Sequence, residues 1–330
     1  MKKLFVYGAG QVGVHAMVYV LNAKVAGAAE VVMYAPHNSK RVEGAIEDIQ
    51  DAQAMTGQSS DWYFRATSSV QDMKGCDFVF FCAGKFPRPE EYAEAAQRGI
   101  DDRLLQAVQN IDILRQFCQE VARFCPQAKI FIITNPVDVM TQIAREKLPQ
   151  NEIYGLGCYL DSARFRRILS ELLAEKGLYI APQNIKAWVL GHHCDTMFLH
   201  RASLPQIDCV TEELLATAME RTKARGLQIT RINQQAESKK INNGSYFAPA
   251  IMIANVMISC VTKTKLLLPL NRCIGEEDNL PQMAGKSAQL LAKIKDGKVT
   301  PQTLPFSLID IEAMQKSLAG QSKSRQALGI

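Results

Sequence analysis

At 330 residues the chain can form one large domain or two of ordinary size, with ample core for either. Apolar residues at 47% and charged residues at 22% exclude a disordered chain. A net charge of +5 with no basic run argues against a nucleic-acid partner, and nine scattered cysteines without a CxxC pair argue against zinc and disulfide frameworks.

Met1-Lys2-Lys3 runs directly into the apolar Leu4-Phe5-Val6-Tyr7, which leaves no room for a secretory h-region. The longest apolar stretch, around Ile251 to Val261, is too short to span a bilayer. The expectation is a cytoplasmic protein without a membrane partner and without a metal.

Leu4 to Tyr7 reads as a short buried strand, followed at once by Gly8-Ala9-Gly10-Gln11-Val12-Gly13. This is G-x-G-x-x-G between a strand and a helical stretch, the context a dinucleotide fingerprint requires. The first glycine permits the tight turn, the second lets a pyrophosphate approach, and the third allows close helix–strand packing. Amides at the helix start attract the phosphates. A second strand, Glu30 to Ala35, should end in an acid for the ribose hydroxyls of NAD, but Ala35 and Pro36 stand there. Ser39, Lys40 and Arg41 follow and would welcome a 2′-phosphate, so NAD and NADP both stay open.

Asp77 to Gly84 reads as a buried strand ending in Ala83-Gly84, and Lys85 to Gly99 as a loop with a short helix. A long helix is expected from about Asp101 to Phe124, a strand from Ala128 to Thr134, and a helix from Val139 to Lys147. Strands alternating with helices predict a doubly wound parallel sheet of the Rossmann type, with ligands bound beyond the strands' carboxyl ends. Gly8, Gly84 and Asn135 fall at such ends. A Rossmann domain over 1–150 and an α+β substrate domain over 151–330 are the expected units.

In Leu160-Asp161-Ser162-Ala163-Arg164-Phe165-Arg166-Arg167, Asp161 and Arg164 share a helix face, and Ile168, Leu169, Leu172 and Leu173 anchor it. The arginine fork can hold a carboxylate by two parallel bonds, while the aspartate can orient a histidine. A strand from Ile185 to Leu190 delivers Gly191-His192-His193-Cys194-Asp195 as the source of that histidine. Carboxylate holder, proton donor and orienter together suit a small oxo or hydroxy acid. Further on, a polar helix is expected over 211–237, a buried or interfacial helix over 246–261, and a hairpin turn at Lys295 to Lys298. A closing surface helix from Ile309 to Ala319 should stop at Gly320.

With GAGQVG at 8–13, TNPVD at 134–138, LDSARFR at 160–166, GHHCD at 191–195 and GSYFAPA at 244–250, the chain resembles the lactate/malate dehydrogenases. The resemblance runs over most of the chain and implies a homodimer or homotetramer acting on a 2-oxo or 2-hydroxy acid. It implies His193 as proton donor and acceptor, oriented by Asp161, and Arg164 as the grip on the substrate's first carboxylate. Arg103 would polarise the carbonyl from a mobile loop, and Asn135 would bond near that carbonyl and the nicotinamide. Ser245 would shape the side-chain pocket. Gly8, Gly10, Gln11, Val12, Gly13, Ala83 and Gly84, with Asn135, would line the cofactor.

Two departures stand out against the family's usual G-E-H-G-D: His192 replaces its Glu and Cys194 its second Gly. The substrate loop from Gly84 to Arg103 is also about ten residues longer than usual, which leaves Arg88, Arg98 and Gln97 as alternatives for the substrate-discriminating position. A second reading, a dinucleotide-binding sensor or structural protein with impaired catalysis, draws on the same departures.

Overall fold

The computed structural model describes every residue except 24, 26, 56–60, 86, 99–101, 205–209, 236–243 and 328–330. Six parallel strands come from the first half: β1 (Lys2–Tyr7), β2 (Ala29–Tyr34), β3 (Trp62–Thr67), β4 (Phe78–Phe81), β5 (Lys129–Ile132) and β6 (Ile153–Gly155). Their spatial order is 3-2-1-4-5-6, the doubly wound order in which the chain reverses direction between β1 and β4. Apolar residues fill β1, β2 and β4 because both faces of this sheet are covered. Helices α1 (Gln11–Asn22) and α2 (Ser39–Met55) follow β1 and β2, whereas α3 (Pro89–Gln97), α4 (Asp102–Phe124) and α5 (Val137–Lys147) follow β4 and β5.

Two apolar cores lie on opposite faces of this sheet. One gathers Leu4, Val6 and Phe80 under α1, and the other gathers Phe5, Phe81 and Phe117 under α4. Successive residues of β1 therefore feed opposite cores, as the strand's two-residue period dictates.

The later chain begins with α6 (Cys158–Ala174), then the two-stranded hairpin β7 (Trp188–Leu190) and β8 (Phe198–His200), then α7 (Glu212–Gln235) and α8 (Phe247–Val261). β9 (Leu266–Cys273), β10 (Ser287–Lys295) and β11 (Lys298–Pro301) then join the first sheet antiparallel, making it nine-stranded. The expected turn at Lys295 to Lys298 closes β10 on β11, with Asp296 and Gly297 both at positive φ.

The chain ends in α9 (Leu308–Ala327). This helix corrects the expected stop at Gly320, because the glycine lies inside it. A Cβ there would stand 3.0 Å from Thr196 Cγ2, so the small residue lets α9 pack on the histidine loop rather than ending it. Nor is α9 merely a surface helix, since Met314 and Ser317 are fully buried. No helix among the described residues is long and apolar enough to cross a membrane.

Candidate active site

His193 Nδ1 donates to Asp161 Oδ2 at 2.5 Å, and Asp161 is fully buried. Burial works to raise the Asp161 pKa, but His193, Arg164 and Arg103 outweigh it and hold the carboxyl below the ordinary carboxylate value. An ionised carboxylate can only accept, so Nδ1 carries a proton in either state of the ring and Nε2 is left to exchange one. Nε2 has no hydrogen bond to any described residue, and the side chain is 13% exposed.

Arg164 Nη1 lies 3.4 Å from the other oxygen of Asp161, one helical turn along α6. Burial lowers its pKa and Asp161 restores part of that loss, but a guanidinium stays charged at any ordinary pH. Arg103, near the start of α4, donates through Nη1 to the His193 carbonyl. The starts of α4 and α6, far apart in sequence, thus meet at the histidine loop, α6 at the His193 ring and α4 at its carbonyl.

The histidine loop is held from behind by Asp138 of α5. Its Oδ2 accepts the His193 amide at 2.6 Å, and its Oδ1 accepts from Asn271 at 2.7 Å and Gln289 at 2.8 Å. Gln289 Oε1 in turn accepts the Cys158 amide at 3.3 Å, at the start of the helix that carries Asp161. Gly157 completes the fit, since a Cβ there would stand 2.7 Å from His193 Cβ.

At the reversal point, Gly8 has φ +100°, and a Cβ on it would collide with the Ala83 backbone. Gly10 has open space where its Cβ would be, and a Cβ on Gly13 would press on Val6 Cγ1 at 3.2 Å. α1 has neither a side-chain cap nor an acid in its first turn, so its leading amides are left for an outside acceptor. Open space beside uncapped amides is what a dinucleotide's pyrophosphate needs, and the three glycines therefore fit that group.

A model of the lactate/malate dehydrogenase NAD-binding domain matches residues 2–155. The L-2-hydroxycarboxylate dehydrogenase (NAD(P)+) of Methanocaldococcus jannaschii is 30% identical over 254 residues, which cover 74% of this chain and 73% of that one. The chain belongs to the lactate/malate dehydrogenase family. Malate dehydrogenase 1 of Aquifex aeolicus is 29% identical over 81% of this chain and 77% of its own length. Among solved structures, the lactate dehydrogenase of Cryptosporidium parvum superposes with a TM-score of 0.80 at 21% identity, covering 99% of this chain and 98% of that one.

Within this lactate/malate dehydrogenase fold, the structure brings His193, Asp161, Arg164 and Arg103 together. Asn135 lies at the mouth of the sheet after β5, where its carbonyl accepts from Asn110 at 3.4 Å. Gly84 packs tightly on Thr134, 2.9 Å from a would-be Cβ. Ser245 precedes α8 and is half-buried, with no hydrogen bond to the histidine cluster. Arg88 is not brought to the cluster: it is 74% exposed and pairs with Glu91 at 3.4 Å. Gln97 and Arg98 are also exposed, at the end of α3.

Both departures from the family motif have a place in the packing. His192 is buried, its Nε2 donating to the Ser287 carbonyl at 3.0 Å and its Nδ1 accepting from Ser317 of α9 at 2.9 Å. Cys194 Sγ meets Thr196 Oγ1 at 3.0 Å, and burial keeps its thiol protonated by raising its pKa. Sequence reading missed Asp138, Asn271, Gln289 and Gly157. Asp138 sits inside the TNPVD motif, which was the available signal; the other three carry none.

Proposed function

We propose that this chain is a nicotinamide-dependent dehydrogenase of small 2-hydroxy and 2-oxo acids. The observation that carries the proposal is the buried His193–Asp161 pair with the Arg164 and Arg103 guanidiniums gathered beside it. Gly8, Gly10 and Gly13, with the first turn of α1 at Gln11 and Val12, would hold the cofactor's pyrophosphate, and Ala83, Gly84 and Asn135 would line the way to its reactive ring. When bound, the nicotinamide supplies or accepts the hydride.

Arg164 fixes the acid by a two-pronged grip on its first carboxylate, which orients the carbon that changes oxidation state. His193 Nε2 gives a proton to the oxo oxygen in reduction and takes it from the hydroxyl in oxidation. Asp161 keeps the ring in the tautomer that leaves Nε2 active. Arg103 stabilises negative charge growing on the oxygen, and its hold on the His193 carbonyl ties that stabilisation to the proton donor. Ser245 would shape the pocket for the substrate's side chain.

In the same reading, 1–150 is the cofactor unit and 151–330 the substrate unit. Ala35 after β2 repels no 2′-phosphate, and exposed Arg41 makes no ion pair with a described residue, so NADP is accepted alongside NAD. Phe247 at 54% and Ile251 at 45% exposure on α8 favour a self-associated enzyme, to be checked as a mass of at least two chains by light scattering.

The test is the reduced-nicotinamide absorbance, with NADH and NADPH each offered a panel of 2-oxo acids. Turnover abolished by His193→Asn is expected. Tight cofactor binding with no turnover on any acid would overturn the reading.

A further inference from the structure

We propose that Ser317 of α9 is a positioning residue for His193: its one hydroxyl staples together the two ends of the loop that carries the proton donor. This rests on the hydride-transfer reading above and names what sets that donor's place. Ser317 is fully buried. Its Oγ lies 2.9 Å from Nδ1 of His192, just before His193, and 3.1 Å from Oγ1 of Thr196, just beyond it. Thr196 Oγ1 in turn lies 3.0 Å from the sulfur of Cys194, the residue that follows His193. Side chains on both sides of the proton donor are therefore joined through a helix that lies 125 residues further along the chain.

The direction of this chain of bonds is fixed. The Ser287 carbonyl can only accept, so His192 Nε2 carries the proton and Nδ1 of the neutral ring accepts from the Ser317 hydroxyl. The Ser317 oxygen then accepts from Thr196, and the Thr196 oxygen from the Cys194 thiol. Each hydroxyl donates once and accepts once, so neither can turn away without leaving a polar atom unmet. Two glycines make room: a Cβ on Gly191 would stand 2.7 Å from Ser317 Oγ, and one on Gly320 3.0 Å from Thr196 Cγ2. One turn along α9, Gln321 donates to the Asp138 carbonyl at 3.3 Å, and one turn further Arg325 pairs with Glu146 of α5 at 2.8 Å. The helix that bears the staple is thus seated on α5, whose Asp138 accepts the His193 amide. The bond from His193 Nδ1 to Asp161 is a pivot, and Nε2 is the ring atom that swings when the loop's ends shift. Holding those ends together is what keeps Nε2 in one place.

The experiment is a double-mutant cycle on Ser317→Ala and Thr196→Val, which cut the staple at its middle and at its far end. In Ser317→Ala, kcat for a 2-oxo acid should fall by about tenfold or more, because small misplacements of a reacting group cost that much. KM for the reduced cofactor should stay unchanged, since the glycine turn at Gly8 is untouched. Thr196→Val should show a smaller loss in the same direction, and the double variant should be no slower than Ser317→Ala alone. Nitrogen NMR of the histidine rings, with His193 assigned through His193→Asn, reads the Nδ1–H bond to Asp161 without any turnover. The His193 resonance should shift in both single variants.

In an active enzyme, unchanged kcat or an unmoved His193 resonance in Ser317→Ala would overturn the proposal while leaving the dehydrogenase standing. Losses from the two substitutions that simply add, as those of independent sites do, would overturn it as well. A wild type without turnover whose His193 resonance still shifts on substitution removes the dehydrogenase and keeps the staple. Should Ser317→Ala fail to fold, Thr196→Val carries the test: a shifted resonance supports the proposal, and an unmoved one overturns it.

Discussion

The two flanks of the site are held in opposite ways. Behind His193, Asp161 is fully buried and Asp138 is 6% exposed, and each is bonded to groups from distant parts of the chain. On the arm that leaves the sheet after β4, Arg88 is 74% exposed and its partner is Glu91, three residues on. A buried carboxylate whose donors come from different elements has one geometry, because moving any element strands a polar group. The arm's described ties run to neighbouring α4, through Lys85 to Asn110 and Tyr92 to Gln106, and none of these reaches the histidine loop. The contrast fits a preorganised proton donor on the buried flank.

Substitutions behind the histidine test that contrast most severely. Asp161→Leu leaves the Arg164 charge uncompensated and the His193 Nδ1–H without an acceptor, so unfolding free energy should fall by about 3–5 kcal/mol. Turnover should fall on the order of 100-fold or more, because the ring loses its orienting partner. The milder Asp161→Asn isolates the ionisation. The folded pKa lies below the roughly 3.9 of an unfolded chain. The pairing therefore adds its full stability above that value and loses it as pH falls through the folded pKa. Acid unfolding curves should be less steep in Asp161→Asn than in the wild type over that window; parallel curves would show that the carboxylate is not held ionised.

Asp138→Leu comes next. It strands the His193 amide and the Asn271 and Gln289 side-chain donors, each at about 1–3 kcal/mol when buried and unpaired. Asp138→Asn should cost less, because its one amide oxygen still accepts part of the set, but Asn271 and Gln289 cannot turn to meet its NH2 without taking their oxygens from Arg145 and the Cys158 amide. Urea unfolding of the two variants checks the gap between them, and equal losses would show that the network is not doing the holding. Gly157→Ala is smaller again. Its methyl must displace His193 Cβ from 2.7 Å, at a cost of about 1–3 kcal/mol, and turnover should drop by more than stability alone explains.

How much of this was legible beforehand follows the same divide between local and distant contacts. The glycine fingerprint, TNPVD and LDSARFR are contiguous in sequence, and the structure brings Asp161, Arg164 and His193 together as their residue types implied. Asp138 meets Asn271 and Gln289 across 133 and 151 residues, and no periodicity carries such a pairing. β9 contains Pro269 inside its pairing with β10, against the usual avoidance of proline in a paired strand, and no strand was expected there. Gly320 misled because its local preference is to end a helix, while its packing on Thr196 needs the helix to continue. The start of the long helix after the arm, at residue 101, lies outside the described residues.

Arg88 gives the smallest expected effect and the clearest way to break the contrast. Its ion pair with Glu91 is three residues apart and open to solvent, so Arg88→Ala should change stability by no more than about 0.5 kcal/mol. If the arm serves only as a cover, kcat/KM for every 2-oxo acid should stay within about twofold of the wild type, since a surface truncation removes no group from the cluster. A tenfold fall confined to diacids would mean that the arm swings Arg88 inward when substrate arrives, at the cost of the Glu91 pair. Arg88→Ala measured on diacids and monoacids side by side decides between the two.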